Sequence, residues 1–354
     1  MKISLIISGA RGGFGGGIEQ YSNNLIKGIE DKKKIKSINV ISKTNLKLKN
    51  KKIKTSCAFI SNSPASFFLT IIFNIINILK SDIILISHIN YIPFLIIPIL
   101  LNKKVVLLSY GKEIWGQTKN LIYKILIKKI NYFICMRYYT MKVLKKKYNL
   151  ENKNFYLLSN CIKLRKLKKL KINKNKNIIT ISKLWSILKF SGVDENLEAF
   201  SLLKKMNFYY FIVGDGDDKP RLIQKAKKLN IIKNVKFFGK VSNKKRDILL
   251  ANSSILSMPG TSEWFDTYPF RFAFLEAAEF GLKILGSTPK NEEKHYEKKY
   301  KNLNFVNPTS RKKILIKILK LQKQKRQFDK KYLKDFSFNN FENRLNNILS
   351  EIIK

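Results

Sequence analysis

Residues 257–288 have the sequence SMPGTSEWFDTYPFRFAFLEAAEFGLKILGST, which contains a complete strand–loop–helix–strand unit. The apolar run 254–258 predicts a buried strand of a parallel sheet, and Pro259-Gly260 ends it because proline has no N–H for the ladder. Residues 282–285 predict the next buried strand. Units of this kind bind ligands in the crevice at the carboxyl ends of their strands.

Between these strands, apolar residues recur at helical spacing over 270–280, which predicts a helix with Gly281 at its C′ position. Glu276 lies on this mostly apolar helix. An unpaired buried charge is costly, so the glutamate taken alone is best explained as solvated or ion-paired.

The chain has 354 residues, of which 45% are hydrophobic, so two globular domains are expected and general disorder is excluded. Its net charge of +46 fits either a polyanionic partner or general lysine enrichment from biased genome composition. Lysines are spread along the whole chain, and arginines, which bind phosphates and bases bidentately, are few. The second explanation is therefore favoured.

Cysteines and histidines are too few and too scattered for a metal site or a disulfide framework. Cys57 and Cys135 lie in apolar, strand-like runs and are expected to be buried, inert thiols in a reducing cytoplasm. The longest apolar stretches, 67–79 and 91–101, are shorter than the ~20 residues that span a bilayer. With no signal peptide pattern at Met1, we expect a cytoplasmic protein, peripheral on the membrane at most.

Strand and helix patterns alternate in two blocks, which predicts two doubly wound parallel sheets. We expect an N-terminal domain at 1–163, a lysine- and asparagine-rich linker at 164–177, and a C-terminal domain at 178–330. Residues 331–354 are expected to hold a C-terminal helix that packs back toward the first domain. The predicted strands lie at 2–8, 38–42, 54–59, 82–87, 104–109, 132–135, 155–158, 178–182, 209–213, 235–238, 254–258, 282–285 and 303–306. The predicted helices lie at 18–29, 64–79, 91–101, 120–129, 138–148, 192–204, 219–229, 243–251, 270–280, 291–300, 311–324 and 338–353.

A glycine-rich loop at 9–17 leads directly into the first helix. Free backbone N–H groups and the helix dipole make such a loop a candidate phosphate site, with a flexible loop as the alternative. Its glycines do not have the dinucleotide-binding spacing, and no Walker Gly-Lys-Ser/Thr follows. Dehydrogenase and kinase functions are therefore disfavoured.

Several short motifs stand in register along the chain: Gly16–Glu19 with Tyr21, Val105–Gly116, Leu157–Asn160, Thr180–Lys183, Gly192–Asp194, Val213–Gly216, Val235–Gly239, Met258-Pro259 and Phe274–Gly281. Together they resemble the retaining, nucleotide-sugar-dependent glycosyltransferases of family 4, also called glycosyl transferases group 1. Phe274–Gly281 (FLEAAEFG) is the most specific of them, similar to the family's Leu-Glu-Ala-(Met/Ala)-Ala-x-Gly. The resemblance implies an α/β fold of the GT-B type, in which two Rossmann-like domains face a cleft.

The resemblance also implies roles for individual residues. Glu276 would bind the ribose of the donor nucleotide, and Lys183 and Lys189 would neutralise the diphosphate leaving group without a metal or other cofactor. The donor-binding set so implied is Gly15, Gly16, Gly17, Lys183, Lys189, Gly214, Phe270, Arg271 and Glu276. The acceptor-binding candidates are Arg11, Glu19, His88 and Trp115. The catalytic candidates are Tyr110, Asp266, Tyr268 and Glu276.

Some positions depart from the family pattern. Tyr268 stands where the family has a first glutamate, eight residues before Glu276, and Glu263 or Asp266 could supply a carboxylate from the loop. Tyr110 stands where many members have a histidine near the reacting sugar. A lone histidine such as His88 is more often a packed or capping residue than a catalyst.

The sequence therefore predicts a metal-independent glycosyltransferase that uses a nucleotide-diphosphate sugar and retains anomeric configuration. The resemblance suggests a lipid-linked or surface-polysaccharide acceptor, as in lipopolysaccharide and cell-envelope synthesis. A basic first domain with amphipathic helices at 67–79 and 138–148 would suit an anionic membrane face. The alternatives are a GT-B epimerase or phosphorylase, and a non-catalytic GT-B protein that binds a membrane or nucleic acid. Nucleic acid is disfavoured because no recognition motif is present.

Overall fold

The computed structural model describes residues 1–8, 17–30, 34–44, 51–60, 63–115, 121–164, 176–186, 192–260, 271–287 and 295–354, without the side chains of Lys112, Trp115 and His295. The chain divides into two compact units, one formed by residues 1–161 with 338–354 and the other by residues 162–337. Each unit is built on its own parallel sheet.

The first unit has a seven-stranded parallel sheet in the order β3-β2-β1-β4-β5-β6-β7. Its strands are β1 (Lys2–Ile7), β2 (Ser37–Ser42), β3 (Ile53–Cys57), β4 (Ile83–Ile86), β5 (Val105–Ser109), β6 (Tyr132–Cys135) and β7 (Asn154–Leu157). Its helices are α1 (Gly17–Glu30), α2 (Pro64–Phe73), α3 (Ile75–Leu79), α4 (Ile96–Leu100), α5 (Lys112–Trp115), α6 (Leu121–Lys129), α7 (Tyr138–Tyr148) and α15 (Phe338–Ile353). Every residue of β4 and β5 is buried, as expected when helices cover both faces of a parallel sheet.

Helices α1 and α15 cover one face of this sheet. The C-terminal helix presents Phe341, Leu345 and Ile348 to a core shared with Leu25 of α1. A Cβ at Gly28 of α1 would lie only 3.0 Å from the Leu345 side chain, so the glycine permits this close helix packing. The opposite face is covered by α2, α3, α4, α6 and α7, which contribute to a second core cluster.

The second unit has a six-stranded parallel sheet in the order β10-β9-β8-β11-β12-β13. Its strands are β8 (Asn177–Ile181), β9 (Tyr210–Val213), β10 (Val235–Gly239), β11 (Ser253–Met258), β12 (Lys283–Ser287) and β13 (Leu303–Val306). Its helices are α8 (Val193–Phe200), α9 (Lys219–Lys228), α10 (Asn243–Ala251), α11 (Phe272–Glu279), α12 (His295–Lys299), α13 (Arg311–Gln322) and α14 (Lys330–Asp335). Helices α8, α9 and α13 contribute to the core on one face, and α10, α11 and α14 to the core on the other.

An ionic network joins the helices α8 and α9. Arg221 donates to both oxygens of Asp194 at 2.9 and 2.6 Å, and Lys225 bridges Asp194 at 2.6 Å and Glu198 at 2.5 Å. Burial alone would raise the pKa of Asp194, but the hydrogen bonds from Arg221 and Lys225 outweigh it and hold that pKa below its usual range. Arg311 of α13 also pairs with Glu198, so the network ties three helices together.

The prediction of two doubly wound parallel sheets is confirmed, while some elements differ from the predicted ones. The predicted helix 64–79 is two helices, because Asn74 ends the first by donating its side-chain N–H to Thr70 O. The predicted helix 91–101 begins earlier, as a 3₁₀ segment Ile89–Leu95 that contains Pro93. Helix α14 was not predicted.

The observed boundaries also differ from the predicted ones near the C-terminus and at the predicted linker. Strand β8 begins at Asn177, within the segment expected to be linker, while residues 165–175 lie outside the described residues. The predicted C-terminal segment 331–354 holds the end of α14, which belongs to the second unit, and α15, which belongs to the first. Among the helices that the structure describes, none is long and apolar enough to cross a bilayer.

Candidate functional site

The central strands β8 and β11 of the second unit lie side by side, and the chain leaves them toward opposite edges of the sheet. Such a topological switch opens a crevice at the carboxyl ends of the strands, where α/β sheets bind ligands. The segments that follow β8, β9 and β11 begin at Ser182, Gly214 and Pro259, so they lie at this edge. This edge is the candidate donor site of the second unit.

The segment after β8 is held against the turn after β9. Leu184 donates its N–H to Asp215 O at 3.0 Å, and Asp218 donates its N–H to Leu184 O at 2.9 Å. Gly214 has a φ of +135°, and a Cβ there would lie 1.8 Å from Ser182 O. Glycine is required at 214 because this backbone contact leaves no room for a side chain. Gly214, predicted to bind the donor, thus fixes the neighbouring segment.

Lys183 lies in that fixed segment, directly after β8. Its side chain is exposed, and its Nζ lies 4.6 Å from the centre of the Trp185 ring. The indole face stabilises the cation while one side of the ammonium remains open to an anion. Lys189, the second lysine predicted to bind diphosphate, lies outside the described residues.

Gly192 brings the start of α8 against the end of β11. Its φ is +75°, and a Cβ would lie 2.4 Å from the backbone nitrogen of Pro259. The helix that follows begins with an acidic turn in which Asp194 is already paired with Arg221 and Lys225. The contact fixes the first turn of α8 at the carboxyl edge of the sheet.

Glu276 is buried on α11, with 6% of the residue exposed, and is ion-paired. Arg246 of α10 brings its Nη2 to 2.8 Å from Glu276 Oε1. Phe274, Leu275, Ala277 and Ala278, which flank the glutamate in α11, are fully buried. The ion-paired alternative considered for this residue is confirmed, and the structure adds the identity of its partner.

The ends of α10 and α11 are anchored by one arginine. Arg326 donates from Nη1 to Phe280 O at 2.9 Å and from Nη2 to Ala251 O at 2.7 Å, and it also contacts Ser253 O. Burial lowers the pKa of Arg326. Gly281 follows α11 with a φ of +69°, as predicted for C′. The arginine therefore sets the relative position of the helices that carry Arg246 and Glu276.

In the first unit, Tyr110 follows β5 and its backbone is held by Glu113. The Glu113 Oε1 accepts the N–H of Tyr110 at 2.5 Å and that of Gly111 at 3.0 Å. The Tyr110 ring packs edge-on against Tyr21 at 5.5 Å, and burial raises the pKa of its hydroxyl. Its phenol is thus a neutral group at neutral pH, and within the described residues its oxygen has no hydrogen-bond partner of normal geometry.

His88 caps the 3₁₀ segment after β4, accepting the N–H of Asn90 on Nδ1 at 3.1 Å. Burial lowers the pKa of His88, with Glu113 opposing and Lys43 adding to the shift. The capping role considered from the sequence is therefore what the structure shows.

Helix α1 begins at Gly17, with Glu19 in its first turn. The Glu19 Oε2 is buried and has no hydrogen-bond partner in the part of the chain that is described. Arg271 is the N-cap residue of α11, and its guanidinium lies 6.0 Å from the Phe274 ring.

The remaining predicted site residues lie outside the described residues, namely Arg11, Gly15, Gly16, Lys189, Asp266, Tyr268, Phe270 and the side chain of Trp115. Their roles stay predictions. Among the described residues, no three His, Cys, Asp or Glu side chains come together as metal ligands would.

Two residues that position the candidate site were not identified from the sequence. Arg246 reaches Glu276 through the tertiary fold, and local sequence patterns do not encode such a pair. Glu113 instead makes a local contact, with the backbone N–H groups two and three residues before it. The scarcity of arginine was the available signal, because Arg221, Arg246 and Arg326 are all used for specific contacts. Glu113 lies within the quoted 105–116 motif, but its role there was not assigned.

The comparisons with known proteins agree with this architecture. Residues 163–336 match the family model described as Glycosyl transferases group 1. A glycosyltransferase from Rickettsia africae ESF-5 is similar in structure, with a TM-score of 0.74, 16% identity, and 100% of this chain and 98% of that chain covered. Anabaena Alr3699/HepE in complex with UDP and glucose has a TM-score of 0.71 and 13% identity, with 99% of both chains covered. The apo form of the lipopolysaccharide outer core galactosyltransferase WaaB has a TM-score of 0.69 and 16% identity, with 99% of both chains covered.

No curated protein sequence matches the chain. At identities of 13–16%, the likeness to solved structures shows the fold. The two Rossmann-like sheets are those of the GT-B fold, and the matched region coincides closely with the second unit, residues 162–337. The chain has the GT-B fold, and its second unit matches the Glycosyl transferases group 1 model.

Proposed function

We propose that this protein is a retaining, family 4 glycosyltransferase that moves a sugar from a nucleotide-diphosphate donor to a lipid-linked or surface-polysaccharide acceptor in the cytoplasm. The observation that carries the proposal is the buried, ion-paired Glu276 within a Glycosyl transferases group 1 domain. Carboxylates are rarely buried in a mostly apolar helix unless they are paired or serve a function.

The donor chemistry follows from the carboxyl edge of the second unit. As the glycosidic bond breaks, negative charge accumulates on the diphosphate, and fixed cations stabilise it without a metal. Lys183 is an exposed cation on a segment made rigid by Gly214. Together with Lys189, it would neutralise that charge. Lysine supplies the charge but lacks the bidentate fork of arginine.

Glu276 would accept hydrogen bonds from the ribose hydroxyls. A carboxylate offers about four lone-pair positions, so its bond to Arg246 is compatible with a ribose contact. In this scheme the Arg246 guanidinium holds the carboxylate in position before the donor arrives. Alr3699/HepE binds UDP and glucose, which makes UDP-sugars the first donors to test.

A thermal-shift screen against UDP-, GDP- and ADP-sugars tests donor binding. A donor at about 100 times its Kd should add roughly 2.7 kcal/mol, or about 5–10 °C for a unit of this size. The shift should disappear in Glu276→Gln and shrink in Lys183→Ala. Lys227→Ala, which changes an exposed lysine on α9, is the matched control and should keep the shift. If no nucleotide sugar stabilises the protein, the proposal fails.

Product analysis separates the proposed reaction from the alternatives. Transfer from a radiolabelled α-linked donor should give an α-linked product, seen in the anomeric proton coupling by NMR. A phosphorylase would need inorganic phosphate, and an epimerase would change the donor without an acceptor. A non-catalytic nucleic-acid binder would show steep salt dependence and no protection by nucleotide sugars.

A further inference from the structure

One face of the first unit exposes an unusual amount of apolar side chain. It lies on α2, α3, α4 and α6, four of the helices that cover one side of the sheet, and on the segment that follows β3. Its most exposed members include Phe59, Phe73, Ile76, Leu100, Leu101 and Leu121. We call this surface, with its neighbouring lysines, the apolar–lysine face.

The face is continuous across these elements. Phe59 and Phe73 pack edge-on with ring centres 6.2 Å apart, and Phe68 of α2 lies 5.1 Å from Phe94 of the 3₁₀ segment. Helix α4 contacts that segment and α6. The exposed side chains therefore form one surface.

Two side chains of this face already expose an apolar area at the lower end of what the largest patch of a typical monomer presents. Phe59 and Phe73 are 75% and 71% exposed. A phenylalanine side chain carries roughly 200 Å², so these two alone present on the order of 300 Å². The largest apolar patch of a typical monomer is ~300–600 Å² in total, and larger patches mark interaction surfaces.

The charges on the helices of this face are of one sign. Helices α2, α3, α4 and α6 contain no acidic residue, whereas α6 carries the exposed Lys124, Lys128 and Lys129. Lys80 directly follows α3. Two copies of this face would oppose lysine with lysine, which disfavours a dimer. An anionic bilayer complements both the charge and the apolar side chains, as interfacial proteins require.

We propose that the apolar–lysine face docks the protein on an anionic phospholipid surface. The inference deepens the proposed function, since it names the surface from which a lipid-linked acceptor would be reached. The face includes α2 and α3, which span the segment 67–79 expected to contact a membrane. It does not include α7, the other helix of that expectation, whose Leu144 and Tyr148 are buried.

Vesicle flotation of the full chain tests the proposal. The protein should bind vesicles of phosphatidylglycerol and phosphatidylethanolamine and bind phosphatidylcholine vesicles much more weakly. F73S/L121S should weaken binding to the anionic vesicles roughly tenfold or more, because two exposed apolar side chains no longer insert. K124Q/K128Q/K129Q should weaken it about fivefold per lysine at low salt. The control L202S/I316S removes two apolar side chains of similar exposure from the second unit and should bind normally.

Several results would overturn this assignment. They are no binding to anionic vesicles, equal binding to phosphatidylcholine, or the same loss in L202S/I316S as in F73S/L121S. A dimer in light scattering that F73S/L121S converts to a monomer would instead make the face an interface between copies. Donor-induced stabilisation in solution is measured in parallel. If the donor still stabilises the protein but vesicles do not bind it, only the docking inference is wrong. If vesicles bind the protein but no donor stabilises it, only the proposed function is wrong.

Discussion

The Arg246–Glu276 pair offers the sharpest test of how the candidate donor site is built. Arg246→Gln would leave the Glu276 carboxylate buried with its arginine removed. Taking one partner from a buried pair costs roughly 3–5 kcal/mol. The Arg246 side chain is 27% exposed and that of Glu276 is 8% exposed, so water enters from the arginine side. We therefore expect about 2–3 kcal/mol of lost stability, which is below the cost for a fully buried pair.

A double-mutant cycle isolates the pair. Arg246→Gln, Glu276→Gln and the double variant are compared by urea unfolding, and hydrogen exchange over 243–251 and 272–279 reports whether the loss is local to α10 and α11. Because the double variant removes both charges, it should be more stable than the sum of the single effects predicts, by about 2 kcal/mol. Lys227→Gln, an exposed lysine on α9, controls for loss of a positive charge.

The same variants separate positioning from binding. Arg246→Gln should lower donor affinity while leaving some donor-induced stabilisation, whereas Glu276→Gln should abolish it. A coupling energy below about 0.5 kcal/mol would refute the claim that the ion pair with Arg246 holds Glu276 in place. Normal donor affinity in Glu276→Gln would refute the role proposed for the glutamate itself.

Three further predictions follow from individual contacts. Gly214→Ala should cost roughly 3–5 kcal/mol in urea unfolding, because its Cβ would meet Ser182 O at 1.8 Å and its φ of +135° is strained for alanine. The unfolded chain binds a proton at His88 near its ordinary pKa of 6.5, above the lowered folded-state pKa, so stability should fall as pH drops below about 6.5. His88→Asn keeps a capping acceptor and should flatten that part of the pH–stability curve. Arg326→Lys should cost about 2–3 kcal/mol and speed hydrogen exchange at the ends of α10 and α11, since one ammonium cannot replace a guanidinium that contacts three carbonyls.

Much of the fold was predictable because the spacing of apolar residues and the residues that end elements, such as glycine and proline, agree over most elements. The limits predicted for β6, β13, α7, α10 and α15 are those of the structure. The errors described here arise where a polar side chain ends or starts a helix. Asn74 ends a helix that apolar spacing alone would continue. Asp329 starts α14 by accepting the N–H of Tyr332 on Oδ1, in a lysine-rich stretch with a weak apolar pattern.

The site was predictable only where a motif carried it. Glu276 was identified by its neighbours in Phe274–Gly281, but its burial and its partner depend on how α10 packs beside α11. Gly214 was assigned to the donor because it belongs to a glycine turn, whereas the structure shows it in contact with Ser182 O. Contacts between residues that are distant in sequence are set by the tertiary fold, which residue order alone does not specify.

The net charge of +46 divides into parts with different physical consequences. In the second unit, Asp194, Glu198 and Glu276 are each paired with an arginine or lysine of a neighbouring helix, so these charges stabilise packing. General lysine enrichment, the explanation favoured from the sequence, concerns only the number of lysines. It does not explain why Phe73 and Leu121 remain exposed on elements without a single acidic residue. Lysines beside a buried apolar stripe are expected to do no more than solvate the surface. Lysines beside an exposed apolar stripe favour an anionic partner that also accepts apolar side chains.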